Sequence, residues 1–210
     1  MTPKSLPKSP RKAIAHLRSV DPALARAIDA VGPVKLEPRP ADLGALCRSI
    51  IGQQLSVVVA NAIGGRFAAL AAKKDGTIDA RMLLSIPEEQ LRAVGLSRAK
   101  VVAVRSLAEF WLAEELHEDR LRAHEDEDLI KLLTRVKGIG PWTVKMILIF
   151  SLNRPDVLPH EDLGLRAGLR RIHAMDEMPT IRQTLDLTAA WKPWSTVGTL
   201  YCWEILRVVE

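Results

Sequence analysis

The sequence is poor in cysteine: Cys47 and Cys202 are the only two in 210 residues. That excludes a four-cysteine iron–sulfur cluster, a Cys-only zinc site and a disulfide-stapled secreted scaffold. Aromatic residues make up 4% of the chain, although five of the nine are tryptophan. The longest apolar run, residues 146–152, is interrupted by Ser151 and falls far short of the roughly 20 residues that span a bilayer. Residues 1–12 are rich in Pro and Lys and lack the apolar segment of an export signal. Alternating strand patterns are scarce. A soluble, cytoplasmic protein with no membrane partner is expected.

Hydrophobic residues, at 48%, are ample for a buried core and exclude a disordered chain. The net charge is +5, and residues 1–40 alone carry eight basic groups against three acidic ones. The surplus therefore sits at the N-terminus. Such a segment permits nucleic-acid binding, although charge alone reads equally well as a solvated tail.

Apolar residues recur at helical spacing over residues 10–19, 22–31, 41–53, 56–72, 79–85, 87–94 and 97–116. After an acidic stretch at 114–128, read as a loop, further helices are expected at 126–135, 141–152, 163–172, 180–191 and 195–208. Residues 31–36 could be extended but have no partner, and the Pro-rich 32–40 reads as a linker or surface strap. The expectation is an all-α protein without repeats, arranged as two helical lobes around a cleft. Residues 1–40 form a basic segment and first helices packed on a core of residues 41–210.

The most informative segment is residues 132–142, Leu-Leu-Thr-Arg-Val-Lys-Gly-Ile-Gly-Pro-Trp. An apolar helix runs into Gly138-Ile139-Gly140, and Pro141 can open the next helix, where its missing N–H is harmless. The glycines permit a tight turn and close approach of the backbone to another molecule. Ile139 would pack beneath the turn, helix-start N–H groups could bind a phosphate, and Lys137 could add charge. This is a helix-hairpin-helix pattern, a sequence-tolerant clamp on one nucleic-acid strand.

The pattern continues. Gly138-Ile139-Gly140-Pro141-Trp142-Thr143 is followed by Arg154-Pro155-Asp156-Val157-Leu158-Pro159 and then Asp162-Leu163-Gly164-Leu165. Upstream stand Ile50-Ile51-Gly52-Gln53-Gln54-Leu55-Ser56 and Gly95-Leu96-Ser97; downstream stand Trp191-Lys192-Pro193-Trp194-Ser195 and Tyr201-Cys202-Trp203. In order and spacing, from about Leu43 to Trp203, the chain resembles the helix-hairpin-helix DNA glycosylases, and within them the 3-methyladenine DNA glycosylase II family. It is similar to the compact form, without the β-rich N-terminal domain or C-terminal cysteine cluster of some relatives.

The resemblance implies a fold, a reaction and a set of residues. The fold is the helix-hairpin-helix glycosylase fold. The reaction is hydrolytic release of alkylated purines such as 3-methyladenine and 7-methylguanine from double-stranded DNA in base excision repair, by a monomer. It implies that Asp162 is the catalytic carboxylate, which would stabilise a cationic sugar or orient water. On local sequence alone Asp162 reads as a helix cap, and the two roles are compatible. Glu161 and His160 read as neighbours. Gln53, Gln54 and Leu55 match a wedge loop that refills the stack when a nucleotide is flipped out, with Gln54 and Leu55 both open as the inserted residue. Trp142 and Trp203 match pocket positions, where indole faces would favour a cationic base; Trp111, Trp191 and Trp194 read as structural. Lys137, Gly138, Ile139 and Gly140 would contact the DNA backbone.

Lyase-capable relatives carry a nucleophilic lysine where this chain has Trp142, so a monofunctional enzyme is implied; Lys145 reads as a solvated helix-face charge. No cofactor is expected for catalysis and no iron–sulfur cluster, but a monovalent cation on the backbone carbonyls of Thr134, Val136 and Gly138 is implied. Two alternatives remain: a glycosylase for a different damaged or mismatched base, and a non-catalytic DNA-binding module.

Overall fold

The structure, a computed structural model, describes residues 5–6, 10–37 and 39–208, apart from the side chain of Val57. Lys4 and Lys8 of the basic segment lie outside the described residues. The described residues form helices α1 (Arg11–Val20), α2 (Pro22–Val31), α3 (Leu43–Gly52), α4 (Val57–Ala71), α5 (Ala80–Ser85), α6 (Glu88–Ala93) and α7 (Arg98–Ala113). These are followed by α8 (Glu118–Ala123), α9 (Asp126–Leu133), α10 (Pro141–Phe150), α11 (Leu163–Ile172), α12 (Ile181–Thr188), a 3-10 turn at Ala189–Trp191, and α13 (Ser195–Ile205). The all-α expectation holds: among the described residues extended pairing is confined to one isolated bridge, Ala72 to Ile78. None of these helices is long and apolar enough to cross a membrane.

Short polar residues set the helix starts. Asp21, Asp42 and Asp79 each accept a backbone N–H three residues on, as do Ser56 and Ser97. Each such cap contributes about 1 kcal/mol. Thr180 and Gln183 close a reciprocal capping box. The acidic stretch is not the loop expected of it. His117 caps α8, whose Glu118 pairs with Arg122, and α9 opens on Asp126, Glu127 and Asp128. Acidic residues crowd two helix N-termini, where the backbone dipole favours negative charge.

The chain divides into two compact units, with the division inside α10. One takes Arg39–Ile147; the other takes the described residues of Lys4–Pro38 and Leu148–Glu210. In the first, α3 packs on α4 and α7, and α5 on α7, with Leu46, Ile50, Phe67, Leu83, Val104 and Leu107 sealed from solvent. In the second, α13 is buried along its length from Ser195 to Cys202 and packs on α2 and α11. Two glycines permit that: any Cβ on Gly168 would strike the Cys202 backbone, and one on Gly198 would strike the Trp191 indole. Residues 31–36 are not a strand. Val34 and Leu36 lie against the same core, and the Gly32 carbonyl accepts the Tyr201 hydroxyl at 3.2 Å, so the strap is anchored.

Candidate nucleic-acid interface and carboxylate site

In the first unit α9 stops at Leu133, and short-range hydrogen bonds carry the chain around the hairpin. Val136 N–H donates to Leu133 O at 3.1 Å, Ile139 N–H to Val136 O at 3.1 Å, and Val144 N–H to Gly140 O at 3.2 Å. Ile139 is buried beneath the turn; Lys137 and Gly138 are exposed. The two glycines differ. Gly138 has φ +89° and a Cβ there would lie 2.7 Å from the Ala103 Cβ, so both conformation and packing exclude a side chain. Gly140 stands outside the left-handed region, with nothing within 4 Å of where a Cβ would be. Gly138 serves the turn; Gly140 leaves open space beside it.

The segment after α3 is tied to this hairpin. Gln53 Nε2 donates to Gly138 O at 2.9 Å and to Thr143 Oγ1 at 3.0 Å. Gln54 takes φ +57°, a left-handed conformation that costs a non-glycine residue about 1–2 kcal/mol. Gln54 and Leu55 are both exposed. Lys100, on the first turn of α7, donates from Nζ to Ile51 O at 2.8 Å and to Gln53 O at 2.9 Å. Burial lowers its pKa from the ordinary lysine value. Trp142 and Lys145 sit half-buried in α10, so Lys145 is not the fully solvated charge its sequence suggests.

In the second unit Asp162 is the N-cap of α11. Its Oδ1 accepts from Leu165 N–H at 2.7 Å and from the Trp203 indole N–H at 2.9 Å. Trp203 in turn stacks on Phe150, with ring centroids 5.6 Å apart and planes 17° from parallel. Gly164 allows this arrangement, because a Cβ there would meet Trp203 Cδ1 at 3.0 Å. The Gly-poor, Pro-rich loop before Asp162 is pinned to the start of α13: Thr196 Oγ1 donates to Arg154 O at 2.7 Å and accepts from Val157 N–H at 3.0 Å, while Asp156 accepts from Ser195 N–H at 3.2 Å. His160 Nδ1 lies 3.7 Å from Glu161 Oε2, an ion pair when the histidine is protonated.

Sequence reasoning missed Lys100 and Phe150, and it gave Gly164 as part of a motif without its place against Trp203. Trp191 is fully buried and donates to Asp21 Oδ2 at 3.0 Å. Cys47 and Cys202 are buried free thiols; burial pushes Cys47 up to about 12 and Cys202 well above the ordinary thiol value. Among the described residues no group of three or more His, Cys, Asp or Glu could hold a metal ion. Of the three carbonyls implied for a cation, that of Val136 accepts the Ile139 N–H and that of Gly138 the Gln53 amide. Each keeps a second lone pair, and uncharged carbonyl oxygens suit a monovalent ion.

Residues 47–194 match the family described as HhH-GPD superfamily base excision DNA repair protein. DNA-3-methyladenine glycosylase 1 of Schizosaccharomyces pombe is 32% identical over 204 residues, 95% of this chain and 89% of that protein. The structure of an S. pombe 3-methyladenine DNA glycosylase in complex with abasic DNA has a TM-score of 0.81 and 34% identity to this chain, covering 91% of it and 95% of its own chain. A DNA-3-methyladenine glycosidase from Bacillus halodurans has a TM-score of 0.79 at 32% identity, covering 97% of this chain and 91% of its own. The hairpin and the capped aspartate thus stand in a chain that belongs to the HhH-GPD superfamily of base excision DNA repair proteins.

Proposed function

We propose that the protein is a monofunctional DNA glycosylase that flips alkylated purines out of duplex DNA and releases them by hydrolysis, acting as a monomer. The observation that carries this reading is the Asp162–Trp203 pair, in which an indole N–H at 2.9 Å joins the backbone N–H of Leu165 on one carboxylate oxygen. Two donors fix the carboxylate, and one of them comes from the ring assigned to the base pocket. Similarity to DNA-3-methyladenine glycosylases over nearly the whole chain supports the same reaction.

Cleavage of an N-glycosidic bond builds positive charge on the sugar, and the Asp162 carboxylate would stabilise it electrostatically and orient the water that attacks C1′. Stacking on Phe150 sets the plane of Trp203. An indole face presented to a cationic purine adds about 0.5–2 kcal/mol that a neutral base does not receive. The open side of Gly140 and the first turn of α10 would take a backbone phosphate, with Lys137 adding charge and Ile139 holding the turn. Gln54 or Leu55 would fill the vacated stack. Trp142 cannot form a Schiff base, which supports hydrolysis without strand cleavage. A monovalent cation on the carbonyls of Thr134, Val136 and Gly138 would supply one further positive charge facing the phosphate.

The test is incubation with methylated duplex DNA and identification of released bases by mass. Release of 3-methyladenine or 7-methylguanine, with strands intact until alkali is added, is expected. No release of any base, with duplex binding retained, overturns the enzyme reading in favour of a binding module.

A further inference from the structure

Lys100 stands where its own helix gains nothing from it. Ser97 caps α7, so an ammonium three residues later sits in the first turn, the end of a helix that disfavours positive charge. Its Nζ instead reaches the opposite kind of helix end, the terminal carbonyls of α3, donating to Ile51 O at 2.8 Å and Gln53 O at 2.9 Å. The residue held in this way turns its side chain elsewhere. Gln53 Nε2 bridges Gly138 O in the hairpin and Thr143 Oγ1 in α10, at 2.9 and 3.0 Å. Directly after this doubly held residue comes Gln54, left-handed at φ +57°, and then exposed Leu55. Three segments far apart in sequence thus meet at one glutamine.

We propose that Lys100 and Gln53 are positioning residues that hold the Gln54–Leu55 insertion loop and the backbone-binding hairpin as one piece, so that seating the hairpin on a strand delivers the loop into the base stack. The inference rests on the glycosylase reading for its use of the loop, but the mechanical link is a property of the protein without DNA. The Lys100 ammonium and the Gln53 amide are both engaged within the protein. Their effect falls on insertion, and it is felt most where the target base must be pulled from a paired stack.

Two readouts test the link in the full-length chain. The first is hydrogen exchange of the DNA-free protein. Lys100→Met removes the charge at similar length, and exchange over residues 53–56 and 138–140 should quicken by about tenfold, as expected for loss of charge-assisted hydrogen bonds. Lys100→Arg should recover part of the protection. The second is single-turnover release of one lesion placed either in a paired duplex or in an unpaired bubble. The variant should lose about tenfold on the paired lesion and less than about threefold on the unpaired one, because an unpaired base needs little extrusion. Gln53→Ala, which breaks only the amide bridge, should show the same split and stands in if Lys100→Met fails to fold. Equal losses on both substrates, or hairpin exchange unchanged in the variants, overturn the link even with an active wild-type enzyme. A wild-type protein that releases no base overturns the glycosylase reading instead, and the exchange rates then decide the link alone.

Discussion

Trp203 and Asp162 are joined through a single hydrogen bond from the indole N–H to the carboxylate Oδ1, 2.9 Å long. The ring that would contact the base therefore also holds the group that would act on the sugar. Trp203→Ala removes both functions. On a cationic lesion it should lose a stacking contribution of about 1–3 kcal/mol together with the fixed carboxylate. Trp203→Phe restores a ring face but has no N–H to donate, so its rescue should be incomplete even on a neutral base. Single-turnover excision of 7-methylguanine and hypoxanthine by the two variants checks this. Full rescue by phenylalanine would make the hydrogen bond irrelevant to the chemistry.

Asp162→Asn keeps an oxygen able to accept from Leu165 and Trp203 while it removes the charge and replaces the second carboxylate oxygen with an amide donor. It should melt close to wild type, bind abasic-site DNA and lose excision by about 100- to 1000-fold, the range for loss of one electrostatic stabiliser. Asp162→Ala should in addition lose about 1 kcal/mol of stability with the cap. Thermal melting alongside single-turnover rates separates the two. Near-normal excision by the Asn variant would move the role away from Asp162.

The two hairpin glycines should behave differently. Gly138→Val meets both a left-handed backbone and the Ala103 methyl 2.7 Å away, and should destabilise the protein by about 1–3 kcal/mol or more. Gly140→Val has room within the protein and should fold normally. It should nevertheless weaken binding to damaged and undamaged duplex alike, because its contact is with phosphate. Anisotropy titrations with both duplexes check this. Undiminished affinity in folded Gly140→Val would reduce the hairpin to a corner between helices.

Acid should act through Asp21. Burial alone would raise its pKa, but the His173 imidazole 3.5 Å from Oδ2, with hydrogen bonds from Leu24 N–H and Trp191, outweighs burial and holds it below the ordinary 3.8. A lowered folded pKa means stability that is present above the unfolded value and lost as pH falls through the folded one. Asp21→Asn should therefore melt below wild type near pH 7, and the gap should narrow as the pH is taken below about 4. A gap unchanged across that range would show that the charge of Asp21 contributes nothing.

Most helices were legible because their apolar spacing and their Asp, Ser and Thr caps agree; residues 22–31 and 163–172 match α2 and α11 end to end. Helix α8 was not, since its six residues hold a single buried one, Leu121, and their acidic composition reads as loop. The hairpin was legible as Gly-Ile-Gly-Pro, although sequence gave no reason to separate Gly138 from Gly140. That distinction depends on Ala103, brought close by the fold of the first unit. Gln53 reads from sequence as part of a wedge, but its contact with Gly138 lies 85 residues away. Lys100 resembles any helix-face lysine until the carbonyls of α3 are seen beside it. Local pattern reports local structure; the tethers between segments are set by packing.

The second unit is built from both sides of the first in chain order. Helices α1 and α2 bury Leu17, Leu24 and Ile28 in the same core as Leu165, Leu169 and Tyr201, and Trp191 reaches Asp21 across 170 residues. On the ribosome these early helices emerge with no partner. At roughly 5–20 residues per second, on the order of ten seconds or more pass before α13 is made. Meanwhile Arg39–Ile147 is a continuous stretch able to collapse on its own contacts. Until then the apolar faces of α1 and α2 lack the partners that cover them in the folded chain, and the capped aspartate of α11 gains its bond from Trp203 only when α13 is in place.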